Sequence, residues 1–283
     1  MFSVDFTKIG LAAPTKIARM NTGSSSWNYY IQNKDGEFLV KFLRGGHPLK
    51  EKAEKNLRSL SGTQQCPVLL YKTNYQDYEV FVFKWVEGKS CFLEKLPPET
   101  FKKIVHDYLN FSEKINENKS NIVAPTYDYY NVVKMFNSIK KAPFFIKKEL
   151  KEIEKDLSYQ PVFQVIHGDF HFKNMIFKEG KLQSFLDFES FRYGCPTEDL
   201  IRLILTNAEQ HNFIREKYTL SLLKQMTKET PYSKEDWLYG LDSFVLLKYR
   251  KRLENNSLRQ WIMLFRSNCL YHKIRKAIKE YCS

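Results

Sequence analysis

The sequence predicts an α+β chain, with a small antiparallel β-sheet lobe that carries one helix followed by a larger, mainly helical lobe. Three observations carry that expectation. Short apolar runs with strand character fill the first part of the chain, and long amphipathic segments dominate after Glu87-Gly88. One strand-like stretch, Phe163 to Phe188, interrupts those helices and is punctuated by Gly168 and Gly180. The expected division is residues 1–88 as the N-terminal sheet lobe and 89–283 as the C-terminal, mainly helical lobe.

The elements follow in order. Trp27 to Gln32 and Phe38 to Phe42 flank Asn33-Lys34-Asp35-Gly36, whose Asp-Gly pair tolerates the positive φ of a tight hairpin. From Lys50 to Leu60, Ala53, Leu57 and Leu60 recur at helical spacing among charged residues; Pro67 to Leu70 and Tyr78 to Phe83 then read as strands. Beyond residue 88 the amphipathic segments are Pro98 to Asn116, Tyr130 to Leu157, Thr197 to Thr227 and Lys234 to the C-terminus. No internal repeat or low-complexity tract is visible.

Composition narrows the function classes. With 283 residues and 43 % hydrophobic content the chain can fill a core, which argues against disorder. No apolar run approaches the roughly 20 residues of a membrane-spanning helix. The start, Met1 to Asp5, lacks a signal-peptide pattern, so a cytoplasmic protein is expected. The five cysteines, Cys66, Cys91, Cys195, Cys269 and Cys282, are odd in number and lack CxxC spacing, against a disulfide framework or a zinc site. A formal charge of +13 attracts polyanions, whether nucleotides, nucleic acid, acidic sugars or anionic lipid.

The chemistry concentrates in His167-Gly168-Asp169-Phe170-His171-Phe172-Lys173-Asn174 and the residues after it. Met175 to Phe177 and Leu182 to Leu186 are apolar strands joined by a glycine-containing turn, so they should pair as a hairpin with Asn174 and Asp187 at its open end. An amide oxygen and a carboxylate together suit Mg²⁺, which takes its remaining ligands from water and substrate phosphates; a nucleotide is implied. Asp169, on the preceding loop, is placed to accept the proton of an attacking hydroxyl.

At these residues the sequence resembles the aminoglycoside phosphotransferase and choline kinase group, relatives of protein kinases, whose pattern H-x-D-x-x-x-x-N then D is met by His167, Asp169, Asn174 and Asp187. The resemblance implies a bilobal, protein-kinase-like fold and ATP or GTP with Mg²⁺ as cofactors. It makes Asp169 the catalytic base, Asn174 and Asp187 metal ligands, and His167 a buttress of the loop. Gly194-Cys195-Pro196-Thr197-Glu198-Asp199-Leu200 resembles the segment that anchors that loop through Asp199. Lys41 becomes the phosphate lysine, Glu54 or Glu51 its carboxylate partner with Glu54 better placed, and Phe83-Lys84-Trp85-Val86 the run that holds adenine through its backbone.

The sequence also departs from that pattern. The loop Asn21 to Ser26 has one glycine, so Ser24, Ser25 and Ser26 are expected to hold phosphates by hydroxyl and backbone groups. Asp187-Phe188-Glu189 replaces D-F-G, and no A-P-E follows, which disfavours a phosphorylation-switched activation loop and protein substrates. His171 reads as a local hydrogen-bonder, and Glu189 and Arg192 as candidate acceptor contacts.

The positive charge favours a neutral or anionic acceptor, a sugar or a surface glycan or glycolipid component, over a polycationic aminoglycoside. An acidic pocket with Glu189 and Glu198 would reverse that preference. Choline and other amino alcohols stay open through Trp and Tyr faces.

The basic stretch from Lys248 to Lys279, with Trp261, Phe265 and Tyr271, is either a solvated helix face with core aromatics or a surface for anionic lipid at the inner membrane. No nucleic-acid motif accompanies the charge, and a monomer or dimer is expected. A pseudokinase acting as a nucleotide-gated binding module is the non-enzymatic alternative.

Overall fold

A computed structural model of the chain describes residues 4–20, 26–44, 50–60, 63, 65–90, 96, 98–126, 144–156, 158–210, 216–253 and 258–282. The strands are β1 (Lys16–Met20), β2 (Ser26–Asn33), β3 (Gly36–Arg44), β4 (Leu69–Tyr75), β5 (Tyr78–Lys84), β6 (Gln164–Ile166), β7 (Met175–Lys178), β8 (Lys181–Phe185) and β9 (Arg192–Gly194). The α-helices are α1 (Lys50–Ser59), α2 (Pro98–Glu117), α3 (Phe144–Asp156), α4 (Pro196–Gln210), α5 (Glu216–Glu229), α6 (Lys234–Leu253) and α7 (Leu258–Tyr281). Two compact units emerge. One comprises Met1–Ser90, Glu117–Val123 and Met175–Glu189; the other comprises Cys91–Asn116, Ala124–Asn174 and Ser190–Ser283. The expected boundary after residue 88 thus lies beside the first crossing, while 117–123 and 175–189 pack with the first unit.

The first unit is built on an antiparallel sheet of order β1-β2-β3-β5-β4. Its strands form where side chains alternate: Tyr29 and Ile31, Val40 and Phe42, and Val80 and Val82 point to one face and are buried there with Phe6, Ile9 and Leu11. Burying each such side chain contributes about 1.5–3 kcal/mol. The β2–β3 turn pairs Asn33 with Gly36, and Asn33 Oδ1 accepts from the Asp35 amide at 2.8 Å. β1 was not expected, and its residues are almost all exposed, so no apolar alternation marks it. The expected hairpin is β7 with β8, Met175 opposite Phe185. It is tied into this unit by reciprocal Lys89 and Phe177 backbone bonds of 3.0 Å and by the Phe185 amide donating to the Gln65 carbonyl at 2.8 Å.

The second unit packs α4 to α7 together, with α3 against α6. The expected segments 197–227 and 234 onward contain α4 and α5, and α6 and α7, respectively. The described part of Tyr130 to Leu157 is α3, and 127–143 lies outside the described residues. Trp237, Tyr249 and Tyr271 are fully buried in this unit. α6 crosses the first turn of α4 at Gly240, where a Cβ would lie 2.3 Å from Thr197 Oγ1 and 2.8 Å from the Glu198 amide. That close approach seats the turn bearing Glu198 and Asp199. β6 and β9 pair antiparallel on either side of the 167–191 stretch. Among the described residues no helix is long and apolar enough to cross a membrane.

Candidate active site

In the second unit, β6 ends at Ile166 and the chain turns through His167, Gly168 and Asp169. The turn's backbone donors are satisfied by one side chain. Asp199, fully buried in the first turn of α4, accepts from the His167 amide at 2.7 Å, the Gly168 amide at 2.9 Å and the Tyr108 hydroxyl at 3.0 Å. Burial pushes the Asp199 carboxyl pKa up, against the charges of His167, Arg192 and Arg202. Gly168 has φ +77° and sits so close to the Ser190 carbonyl that a Cβ would be 2.1 Å from its oxygen. His167 is buried against Phe170 and Phe191.

Asp169 emerges from this fixed turn with a side chain that is 37 % exposed. Its Oδ2 faces His171 Nε2 at 3.3 Å and accepts from Asn174 Nδ2 at 3.2 Å, and its Oδ1 faces Arg202 Nη1 at 3.5 Å. Burial raises its carboxyl pKa, but the His171 hydrogen bond and the charges of His171, Arg202 and His167 outweigh it and hold the group well below the usual carboxylate range. Such a group is ionised throughout the neutral range and is a weak base. It can align a hydroxyl and take its proton as the bond to phosphorus forms. Asn174 Nδ2 also donates to the Asp169 carbonyl at 3.0 Å, so the amide nitrogen is committed and the oxygen is the atom left for a cation.

The first unit supplies its own pair. Lys41 lies mid-strand in β3, opposite Phe81 of β5, and its Nζ is 3.1 Å from Asp187 Oδ1. Asp187 has φ +63°, an uncommon backbone for a residue with a Cβ, and its side chain is half exposed. Within the first unit the Lys41 ammonium therefore stands beside a carboxylate oxygen donor. That chemistry fits Mg²⁺ shared with phosphate. No group of three or more His, Cys, Asp or Glu side chains able to hold a metal by itself occurs among the described residues.

Several expectations are corrected. Glu54 is held by Arg58 Nε and Lys72 Nζ, both at 3.0 Å, and not by Lys41. Lys72, on β4, reaches α1 from a strand that sequence spacing does not pair with it. The second candidate, Glu51, has a side chain outside the described residues. The amides of Lys84 and Trp85 donate to the Val68 and Glu37 carbonyls, both at 3.0 Å, so these two donors serve the sheet; Val86 follows them, half-buried. Trp85 packs edge-on against Tyr30 at 4.8 Å.

Arg192, a candidate acceptor contact, is buried and forms a bidentate pair with Glu198, which is itself fully buried. Ser26 begins β2, its hydroxyl 3.3 Å from Asn28 Oδ1; Ser24 and Ser25 lie outside the described residues, as does the Glu189 side chain. Cys195 is buried, and burial pushes its thiol up to about 12, an inert group.

In the described part of the basic C-terminal stretch several cations pair with acids, while Lys273, Lys276 and Lys279 stay exposed. Arg275 is buried between Asp242 and Glu149, Lys248 pairs with Glu209 and Lys273 with Glu216, and Tyr271 is core. The side chains of 250–266, which include Trp261 and Phe265, lie outside the described residues.

One contact escaped the sequence reading. Arg202 follows Asp199 by three residues, one helical turn along the same face, and that spacing is the signal that could have placed it beside the loop. His171, expected to bond locally, does so to the Asp169 carboxylate two residues before it.

Comparison with known proteins follows this geometry. Residues 138–226, which hold Asp169, Asn174, Asp187, Asp199 and Arg202, match the model of the phosphotransferase enzyme family. Among solved structures, the complex of the aminoglycoside phosphotransferase APH(4)-Ia, in a thermostable mutant form, with AMP-PNP and hygromycin B is similar at a TM-score of 0.65 and 10 % identity, over 96 % of this chain and 97 % of that one. A candidate aminoglycoside phosphotransferase from Ralstonia eutropha JMP134 gives 0.64 at 12 % identity, over 96 % and 94 %. The complex of gentamicin with APH(2″)-IIa gives 0.58 at 15 %, over 97 % and 99 %. The fold is therefore the kinase-like α+β fold of aminoglycoside phosphotransferases, and the resemblance read from the motif is matched by family model and by fold. No curated protein matches the chain.

Proposed function

We propose that the chain is an ATP- or GTP-dependent kinase that transfers the γ-phosphoryl group to a hydroxyl of a small molecule. The observation that supports this most is the Asp169 carboxylate, presented by a glycine turn that Asp199 pins from beneath, with Asn174 bonded to it, in the stretch matched by the phosphotransferase model. Lys41 holds nucleotide phosphates and is kept in place by Asp187. Asp187 and Asn174 are the oxygen donors that would hold Mg²⁺, which would supply positive charge to nucleotide phosphates. Asp169 aligns the acceptor hydroxyl and receives its proton late in the transfer. Retention of all three polar residues disfavours the pseudokinase reading.

For the acceptor, the hygromycin B and gentamicin complexes of similar structures support an aminoglycoside or related aminocyclitol as the first class to test. A second reading, a neutral or anionic sugar or glycan component, is favoured by the net charge of +13. The deciding experiment is magnesium-dependent ATP and GTP consumption against a panel of aminoglycosides, sugars, amino alcohols and glycan fragments, with Asp169→Asn in parallel. Acceptor-stimulated turnover is expected to fall roughly 10²- to 10⁴-fold in the variant. Turnover that survives in Asp169→Asn, or nucleotide binding without transfer to any acceptor, refutes the proposal.

A further inference from the structure

We infer that Arg202 is a positioning residue for phosphoryl transfer, fixing the orientation of the Asp169 carboxylate from the same helix whose first turn fixes the backbone of the loop. This rests on the kinase reading above. α4 carries Glu198, Asp199 and Arg202 on adjacent turns, and each has a distinct partner in or beside the loop. Asp199 takes the amides of His167 and Gly168. Glu198 takes Arg192, the first residue of β9, and lies 3.7 Å from Arg202 Nη2. Arg202 then extends Nη1 to 3.5 Å from Asp169 Oδ1.

The guanidinium is placed by three contacts: Glu198 at one nitrogen, Asp169 at the other, and the face of the buried Phe244 ring 5.3 Å away. Its Nε is buried and has no hydrogen-bond partner among the described residues. An unpaired buried donor costs stability, so the arrangement is not the one that best satisfies the arginine itself. It suits the carboxylate instead. His171 and Asn174 address Oδ2, and among the described residues Arg202 alone addresses Oδ1. The Oδ1 contact is long for a hydrogen bond, so it sets the rotation of the carboxylate by charge while leaving a lone pair for the acceptor hydroxyl. A lysine keeps the charge but lacks the planar fork that spans both acids and stacks on Phe244.

The test compares Arg202→Met and Arg202→Lys with the parent chain in magnesium-ATP turnover on the acceptor panel, and follows thermal unfolding of Arg202→Met, Asp169→Asn and the double variant. Misplacing the base should lower kcat about 10- to 100-fold in Arg202→Met, with nucleotide affinity changed less than about twofold and partial recovery in Arg202→Lys. The unfolding-temperature shift caused by Arg202→Met should shrink in the Asp169→Asn background, because the two side chains act on each other. Additive shifts overturn the pairing. Coupled shifts with an unchanged kcat overturn the positioning role and leave a structural ion pair. A parent chain that transfers phosphate to nothing on the panel refutes the kinase reading and the positioning role with it, while the coupling measured by unfolding still reports separately on the pair.

Discussion

At Gly168 the backbone adopts a left-handed conformation that costs a residue with a Cβ about 1–2 kcal/mol, before the contact with the Ser190 carbonyl is counted. Gly168→Ala should therefore lower the urea midpoint and reduce kcat together, since the strained turn carries Asp169; an alanine variant with unchanged kcat would show that the turn does not set the carboxylate. Asp169 also leaves a signature in acid. Its folded-state pKa lies below the roughly 3.9 of an unfolded aspartate. The stability it contributes is thus fully present above about pH 5 and is lost as pH falls below about 4. The unfolding-temperature difference between the parent and Asp169→Asn should shift against the parent over that range, and a pH-independent difference would contradict the depressed pKa. At this scale the anchor of the loop was legible, because the family resemblance at Gly194 to Leu200 marked Asp199 as the acceptor of backbone hydrogen bonds it proves to be. Partner choice was not: Lys72 reaches Glu54 through strand order, and Arg192 turns inward to Glu198 because that carboxylate is buried.

Elements with an apolar pattern were legible too. β2 alternates, β5 is a short apolar run buried on both faces, and the β7–β8 hairpin announces itself by a glycine turn between apolar runs. β1 carries an exposed face on nearly every residue, and β9 is three residues long, so neither has a period to read. α1 yields a test at this scale. Since Glu54 is bound by Lys72 and Arg58, Glu54→Gln should change nucleotide affinity less than about threefold, whereas Lys41→Met should lower kcat/KM at least tenfold, on the order of a lost charge contact to phosphate. Nucleotide titration of both variants checks this; equal losses would restore Glu54 as the lysine's partner.

For the molecule as a whole, binding energy is measurable as stability. AMP-PNP with magnesium at about 100 times its dissociation constant should stabilise the chain by about 2.7 kcal/mol, or roughly 5–10 °C, and EDTA should remove most of that gain. A shift insensitive to EDTA would dissociate Asn174 and Asp187 from metal binding. The net charge of +13 already counts the acids that pair with Lys248, Lys273 and Arg275, so those pairs fix where some cations sit without lowering the total. The segment Met175–Glu189 has the widest consequence. It completes a unit that begins at Met1, supplying Phe177 to Lys89 and Phe185 to Gln65, yet it is synthesised after α2 and α3. On a ribosome adding about 5–20 residues per second, the sheet emerges well before the hairpin that finishes it. Nascent chains shorter than about 189 residues therefore carry an unfinished first unit, and this is the interval in which a chaperone would find the most exposed strand to hold.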